Sequence, residues 1–194
     1  MKIKTTVILL VLLCTTLTTN AQSFKIDAGH SNVQIQVERF GVVDVIGRFK
    51  DINGTIDFNK DDVSKTQANA VIKVDSYDAN NIGGEGAVKS KAFLDAGTYP
   101  EITFKSKNVI AKGEKQYLVG DLTIHGVTNQ IELPFEVKGP LLDLPTQKQS
   151  IAFNAAITIN RQNYGVSFDR KLPNGTPLVG NDIKITLNIL AIAE

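Results

Sequence analysis

Apolar and polar residues alternate with a period of two along most of the chain, the pattern of strands with one buried and one wetted face. Val33, Ile35 and Val37 form one such row, and Ala68, Ala70, Ile72 and Val74 another. Ile102 and Phe104 follow, then Leu118, Gly120, Leu122 and Ile124, then Ile131, Leu133, Phe135 and Val137. Ile151, Phe153, Ala155, Ile157 and Ile159 continue the series, and Ile183, Ile185, Leu187 and Ile189 close it. Between Val42 and Phe58 the parity changes, because Val45, Gly47 and Phe49 fall on one set and Ile52, Gly54, Ile56 and Phe58 on the other. A bulge near Lys50 or Asp51 reconciles the two as one long bent strand. The rival is a tight turn at Asn53-Gly54; it leaves two unusually short arms, so the bent strand is favoured. One region reads as helical, about residues 86–97 within "GGEGAVKSKAFLDAGTYP", where Val88, Phe93 and Leu94 share a face and Gly97 and Pro100 end it.

Eight or so consecutive antiparallel strands with one helical insertion must hide their edges, and closure into a barrel does so completely. The expected fold is therefore all-β: a single eight-stranded antiparallel barrel. Its inward set includes Gly47, Gly54, Ala68, Ala70, Gly120 and Ala155 beside larger aliphatics and phenylalanines. So many small side chains leave room for a small ligand, although they also suit the taper of a filled core. If the interior is open, its lining comes from Ile35, Val37, Ile72, Val74, Phe104, Leu122, Ile124, Leu133, Phe135, Phe153, Ile157, Ile185 and Leu187.

The stretch "GDLTIHGVTNQIELPF" (120–135) is a hairpin with two candidate registers. A two-residue loop at Gly126-Val127, with glycine first in a type II′ turn, sets Leu122 opposite Ile131 and Gly120 opposite Leu133. A four-residue loop from Gly126 to Asn129 sets Leu122 opposite Leu133. The turn chemistry favours the first, and either places His125 outside, near a rim. Pro134 interrupts the second arm; lacking an N–H, it marks an edge, a bulge or one side of an incompletely paired seam.

The N-terminus changes the picture of where the protein works. Lys2 and Lys4 precede an apolar run from Val7 to Leu13, then small and polar residues to Ala21, which is the layout of a secretory signal peptide over residues 1–21. The run is too short to span a bilayer. Leu13 occupies the place where a lipoprotein signal needs a small residue, so Cys14, the sole cysteine, is expected to leave with the leader. The remaining 22–194 then forms one domain without disulfides or thiol chemistry, in the periplasm or outside the cell. Lys and Arg number 21 against 20 Asp and Glu, with no basic run and no tryptophan, so the footprint of a nucleic-acid or anionic-membrane binder is missing.

With "GDLTIHGVTNQIELPF" stand "IDAGHSNVQIQVERFGVVDVIGRFKDINGTIDFN", "KSKAFLDAGTYPEITFKSKNV", "TINRQNYGVSF" and "VGNDIKITLNILA". Together, over nearly all of Phe24 to Ala193, these resemble the YceI-like family of bacterial periplasmic and secreted proteins. The resemblance implies a lipocalin-like barrel with a helical segment around an elongated apolar pocket, and a polyisoprenoid, an isoprenoid quinone or another long lipid as ligand. One departure is visible. Where the family often has His in a V-K-H-x-G stretch, this chain reads Val37-Glu38-Arg39-Phe40-Gly41, so a head-group role for that His does not carry over.

The polar candidates lie at the mouth. Arg161 shares the parity of Ile157 and Ile159: if the strand continues, its guanidinium points into the barrel and can fork onto a phosphate, carboxylate or quinone oxygen. If the strand has ended, Arg161 hydrogen-bonds loop carbonyls instead. Arg39 has inward parity too, and Tyr164 and Phe168 are either a lid or simple rim packing. His30 and His125 lie on different strands without metal-binding spacing, and no G-x-S-x-G elbow is present, so neither a metal, a cofactor nor a catalytic triad is expected. Three functions compete: a non-enzymatic carrier of a long apolar molecule, a solid barrel acting as an interaction or stress-response module, and an enzyme on a lipid or quinone using a histidine at the mouth. Oligomeric state, a homodimer included, leaves no signature in the chain.

Overall fold

The computed structural model describes residues 21–194; the expected signal peptide, but for Ala21, lies outside the described residues. Among the described residues eleven strands form one sheet: β1 (Gln22–Ile26), β2 (Asn32–Arg39), β3 (Val43–Phe49), β4 (Ile52–Phe58), β5 (Gln67–Lys73), β6 (Tyr77–Asp78), β7 (Glu101–Lys112), β8 (Lys115–Ile124), β9 (Val127–Asp143), β10 (Lys148–Asn160) and β11 (Val179–Ala193). Helix α1 (Ile82–Lys89) lies between β6 and β7.

Three pairs of these strands are broken halves of longer ones. β1 and β2 both pair with β11; β3 pairs with β2 and β4 with β1; β5 pairs with β4 and β6 with β3. Joined in this way, they give a closed barrel of eight antiparallel strands with neighbours connected in sequence. The breaks at Asp27–Ser31, Lys50–Asp51 and Val74–Ser76 lie side by side, where the wall bends. At the first, the Ser31 hydroxyl donates to the Leu190 carbonyl (3.2 Å) and accepts from the Leu190 N–H (3.1 Å), replacing backbone pairing with a side chain. The Asp27 carboxylate accepts from the Gly29 N–H (2.9 Å) and bonds the His30 ring (2.7 Å). At the second, Asn53 and Gly54 lie inside β4 opposite Val71 and Ala70, so the chain does not turn there and the bent strand is the structure adopted.

Other expectations need correcting. The strand carrying Ala68 to Ile72 ends at Lys73, and Val74 enters a 3-10 turn with its N–H bonded to the Pro100 carbonyl. The helix begins at Ile82, earlier than its apolar residues suggest. Asn81 caps it by accepting from the Gly84 N–H, and Glu85 reaches back to the Ala79 N–H. It ends at Lys89, and Phe93 and Leu94 lie in the turns that follow.

The "GDLTIHGVTNQIELPF" hairpin takes neither anticipated register. Ile124 pairs with Val127, so the two-residue loop is His125-Gly126, and Leu122 faces Asn129, Gly120 faces Ile131 and Leu118 faces Leu133. Both loop residues have positive φ, 51° and 74°, as a type I′ turn requires. His125 thus occupies the site where asparagine is the usual choice, with its ring edge-on to Tyr99 at 4.5 Å between centroids.

The lower end of the barrel, carrying the 59–66, 113–114 and 144–147 loops, holds the densest part of the core. Phe24, Leu118, Ile151 and Ala191 are at most 1% exposed there. The other end holds the 79–100 insertion, the His125-Gly126 turn and the loop from Arg161 to Leu178.

Candidate functional site

Above the densely packed end the interior opens into a cavity of about 340 Å³, within the range of small-molecule pockets. Its floor is Ile26, Ile56, Phe153 and Ile189, and its walls are aliphatic side chains from nearly every strand. Of the residues expected to line the interior, Ile35, Val37, Ile72, Phe104, Leu122, Ile124, Leu133, Phe153, Ile157, Ile185 and Leu187 border this space. Val74 and Phe135 do not. Val74 is buried in its turn. Phe135 stacks on Phe153 at 5.3 Å and faces a separate depression with Phe58 and Val63.

The space is not made by the glycines. A Cβ on Gly47 would lie 2.2 Å from the Tyr77 hydroxyl, and one on Gly120 would lie 2.6 Å from the Phe104 ring. Aromatic rings fill both vacancies. At Gly54 the Asn69 carbonyl of the neighbouring strand comes close enough that a Cβ would be 2.0 Å from it. Ala68 and Ala70 do border the cavity, beside large aliphatics that do not reach across it.

The cover was only partly visible in the sequence. Gly84, Ala87 and Val88 of α1 face the cavity, as do Phe93 and Leu94 from the turns beyond. These residues would have been found by asking what closes the wide end of a barrel whose single helix carries so few large side chains. Phe93 stacks on Phe168 at 4.8 Å, which clasps the insertion to the loop after β10. Phe168 therefore works from behind Phe93 and is not among the cavity-lining residues.

Arg161 organises that loop. β10 ends at Asn160, and Arg161 opens a 3-10 turn to Tyr164 that closes on Gly165 in the left-handed region. The Arg161 guanidinium, only 6% exposed, donates from Nε to the Gly180 carbonyl (3.0 Å) and from Nη1 to Val166 (2.6 Å). Its Nη2 donates to Phe168 (2.6 Å) and Val179 (3.3 Å). Burial pushes its pKa below the ordinary guanidinium range, partly countered by Asp169. Arg161 also borders the cavity. Tyr164, 2% exposed, lines it as well, and burial raises its hydroxyl pKa. Arg39 lies on the exposed rim with its guanidinium 3.8 Å above the Phe40 ring. The polar lining is thus confined to a few groups, chiefly Glu38, Arg39, Asn69, Asn81 and Arg161, against an otherwise apolar surface.

Neither histidine reaches this space. His125 packs on Tyr99, and the His30 ring, 75% exposed, bonds Asp27, which raises its pKa. Among the described residues no group of three metal-ligating side chains converges, and no helix is long and apolar enough to cross a membrane.

An up-and-down antiparallel barrel, densely packed at one end and hollow under a helical cover at the other, defines a lipocalin-like binding barrel. The model of the YceI-like domain matches residues 24–191, and the chain belongs to that family. A UPF0312 protein of Staphylococcus aureus (strain N315) is 30% identical over 162 residues, 84% of this chain and 92% of that protein. Among solved structures, BcnA of Burkholderia cenocepacia superposes with a TM-score of 0.73 at 24% identity, covering 86% of this chain and 99% of that one. A polyisoprenoid binding domain from Saccharophagus degradans, implicated in plant cell wall breakdown, gives 0.69 at 17% identity over 89% of this chain and 99% of that one. These two likenesses bear on the fold.

Proposed function

We propose that this protein is a non-enzymatic carrier that holds one long apolar molecule, of the polyisoprenoid, isoprenoid-quinone or fatty-acid class, in the upper half of its barrel. The cavity carries this reading: it is lined almost wholly by aliphatic side chains, with charged groups only near its mouth. Burying a methylene contributes roughly 0.8 kcal/mol. A chain of about ten carbons therefore offsets a large part of the cost of association by area alone. The polyisoprenoid-binding relative in the same fold supports the ligand class, and the leader-like first 21 residues support work in the periplasm or outside the cell. A solid-barrel interaction module requires an interior with room for no more than a few waters, and the cavity counts against it. An enzyme built on a histidine at the mouth is disfavoured because both histidines lie away from the cavity.

The deciding experiment is native mass spectrometry of protein purified from its own host, followed by lipid extraction. A co-purifying long-chain lipid at close to one per chain is the expected result. Repeated recovery of empty protein that also fails to bind added long-chain fatty acids and prenols would reject the carrier.

A further inference from the structure

The wall around the cavity is not paired throughout. β9 and β10 are hydrogen-bonded from Asp143–Lys148 up to Phe135–Ala155, and there their ladder stops. Above that point β9 continues to Val127, paired on its other side with β8 alone. β10 likewise continues to Asn160, paired with β11 alone. Two strand edges thus face each other without a ladder, and Pro134, which has no N–H to contribute, stands where they part.

The gap is bounded. Its sill is the Phe135–Ala155 pair. Its lintel is the 3-10 turn after β10, tied to β9 by the Asn129 side-chain N–H donating to the Asn163 carbonyl at 3.0 Å. The inward side chains of the two free edges, Ile131 and Leu133 on one side and Ile157 and Ile159 on the other, all line the cavity. Ile131, Ile157 and Ile159 are only partly buried. The wide end, by contrast, is covered by α1 and the turns beyond it, clasped through Phe93 and Phe168 and held by the bonds from Arg161, with Glu38 and Arg39 at its exposed rim.

We propose that this window between β9 and β10 is the port through which the apolar chain enters and leaves the cavity. Exchange is then side-on, through a wall opened by a missing ladder, and the helical cover stays in place. This rests on the carrier reading above and adds the route.

A port sets rates, whereas the lining sets affinity, so closing it slows association and dissociation together and leaves Kd unchanged. Glu132 and Thr158 point outward on the two edges, do not line the cavity, and stand opposite each other if the register of Phe135 and Ala155 is extended. The test uses Glu132→Cys with Thr158→Cys, in a chain with Cys14→Ser, bridged by a short reductant-cleavable bis-thiol linker. Stopped-flow exchange of a fluorescent long-chain fatty acid is then measured before linking, after linking and after cleavage. A second variant, Lys91→Cys with Asp169→Cys, links the cover to the loop after β10.

The expected result is that the window link lowers both rate constants by about tenfold or more, that cleavage restores them, and that the cover link changes neither. Unchanged rates with the window closed, or slowing by the cover link alone, would overturn the port. If the unlinked variants unfold, Ile157→Ala replaces them: widening the window must raise both rate constants, and failure to do so counts equally against it. Absence of probe binding by the unmodified protein would instead remove the carrier reading on which the port depends.

Discussion

Replacing Arg161 by Met keeps most of the apolar stem and removes the fork that holds the mouth loop. The wild-type guanidinium makes four bonds, at 2.6, 2.6, 3.0 and 3.3 Å, to carbonyls of Val166, Phe168, Gly180 and Val179. A hydrogen bond to a charged group contributes roughly 1.5–3 kcal/mol, and the longest of the four counts for little. Against this stands the desolvation of a cation that forms no salt bridge among the described residues; the variant is relieved of that cost. Of the four acceptors, only the Val166 carbonyl belongs to a fully buried residue, so the others regain water when the arginine is gone. One orphaned carbonyl at about 1–3 kcal/mol, added to the loosened loop, gives a net loss of about 3 kcal/mol. Urea unfolding followed by circular dichroism should show the midpoint falling with the slope unchanged, and a Tm lowered by roughly 6–12 °C for a domain of this size. Arg161→Lys should recover less than half of the loss, because an ammonium cannot reproduce the planar fork. A Met variant within about 0.5 kcal/mol of wild type would refute the reasoning, since changes of that size are typical of surface positions without a structural role.

Other positions give independent tests. Gly54→Ala forces a methyl group against the Asn69 carbonyl at 2.0 Å, and the backbone of β5 must shift; a loss of about 3 kcal/mol in denaturant unfolding is expected. Ile185→Trp puts a larger ring into the cavity and should abolish lipid co-purification while costing less than about 2 kcal/mol, as checked by native mass spectrometry and urea unfolding on one preparation. Asp78 is held at a pKa of about 2 by the Asn80 N–H and by Lys50 at 3.0 Å, with Arg48 further off. Its folded value lies below the unfolded one, so its contribution to stability is complete above about pH 4 and fades as pH falls towards 2. Carboxyl-detected NMR titration should find the Asp78 midpoint well below those of exposed carboxylates, and Lys50→Met should move it upward.

The strands were legible because their signal is local: a buried face every second residue survives any topology, and Pro134 marked the parting of β9 from β10. The hairpin register was not, because it turned on which residue would accept a positive φ. Sequence chemistry pointed to Gly126 leading the turn, and the structure puts His125 there, supported by a ring contact from Tyr99, far away in sequence. The cavity was anticipated for a reason that holds for Ala68 and Ala70 and fails for the glycines. Glycines at inward positions promised empty space, yet Tyr77 and Phe104 lie across Gly47 and Gly120, and pairings of that kind are invisible until the strands are in register. What makes the hollow is the wall. Where β9 and β10 are bonded, the circumference is fully laddered, and the paired Ile151 and Ala191 meet a filled interior. Above Phe135 the ladder is missing, and the walls at that level, Ile131 and Leu133 facing Ile157 and Ile159, border open space. A barrel's bore grows with its circumference, so side chains of ordinary size that fill the laddered end fall short at the splayed one. The cavity and the window thus share one origin, a ladder that ends at a proline, and restoring pairing there should shrink both.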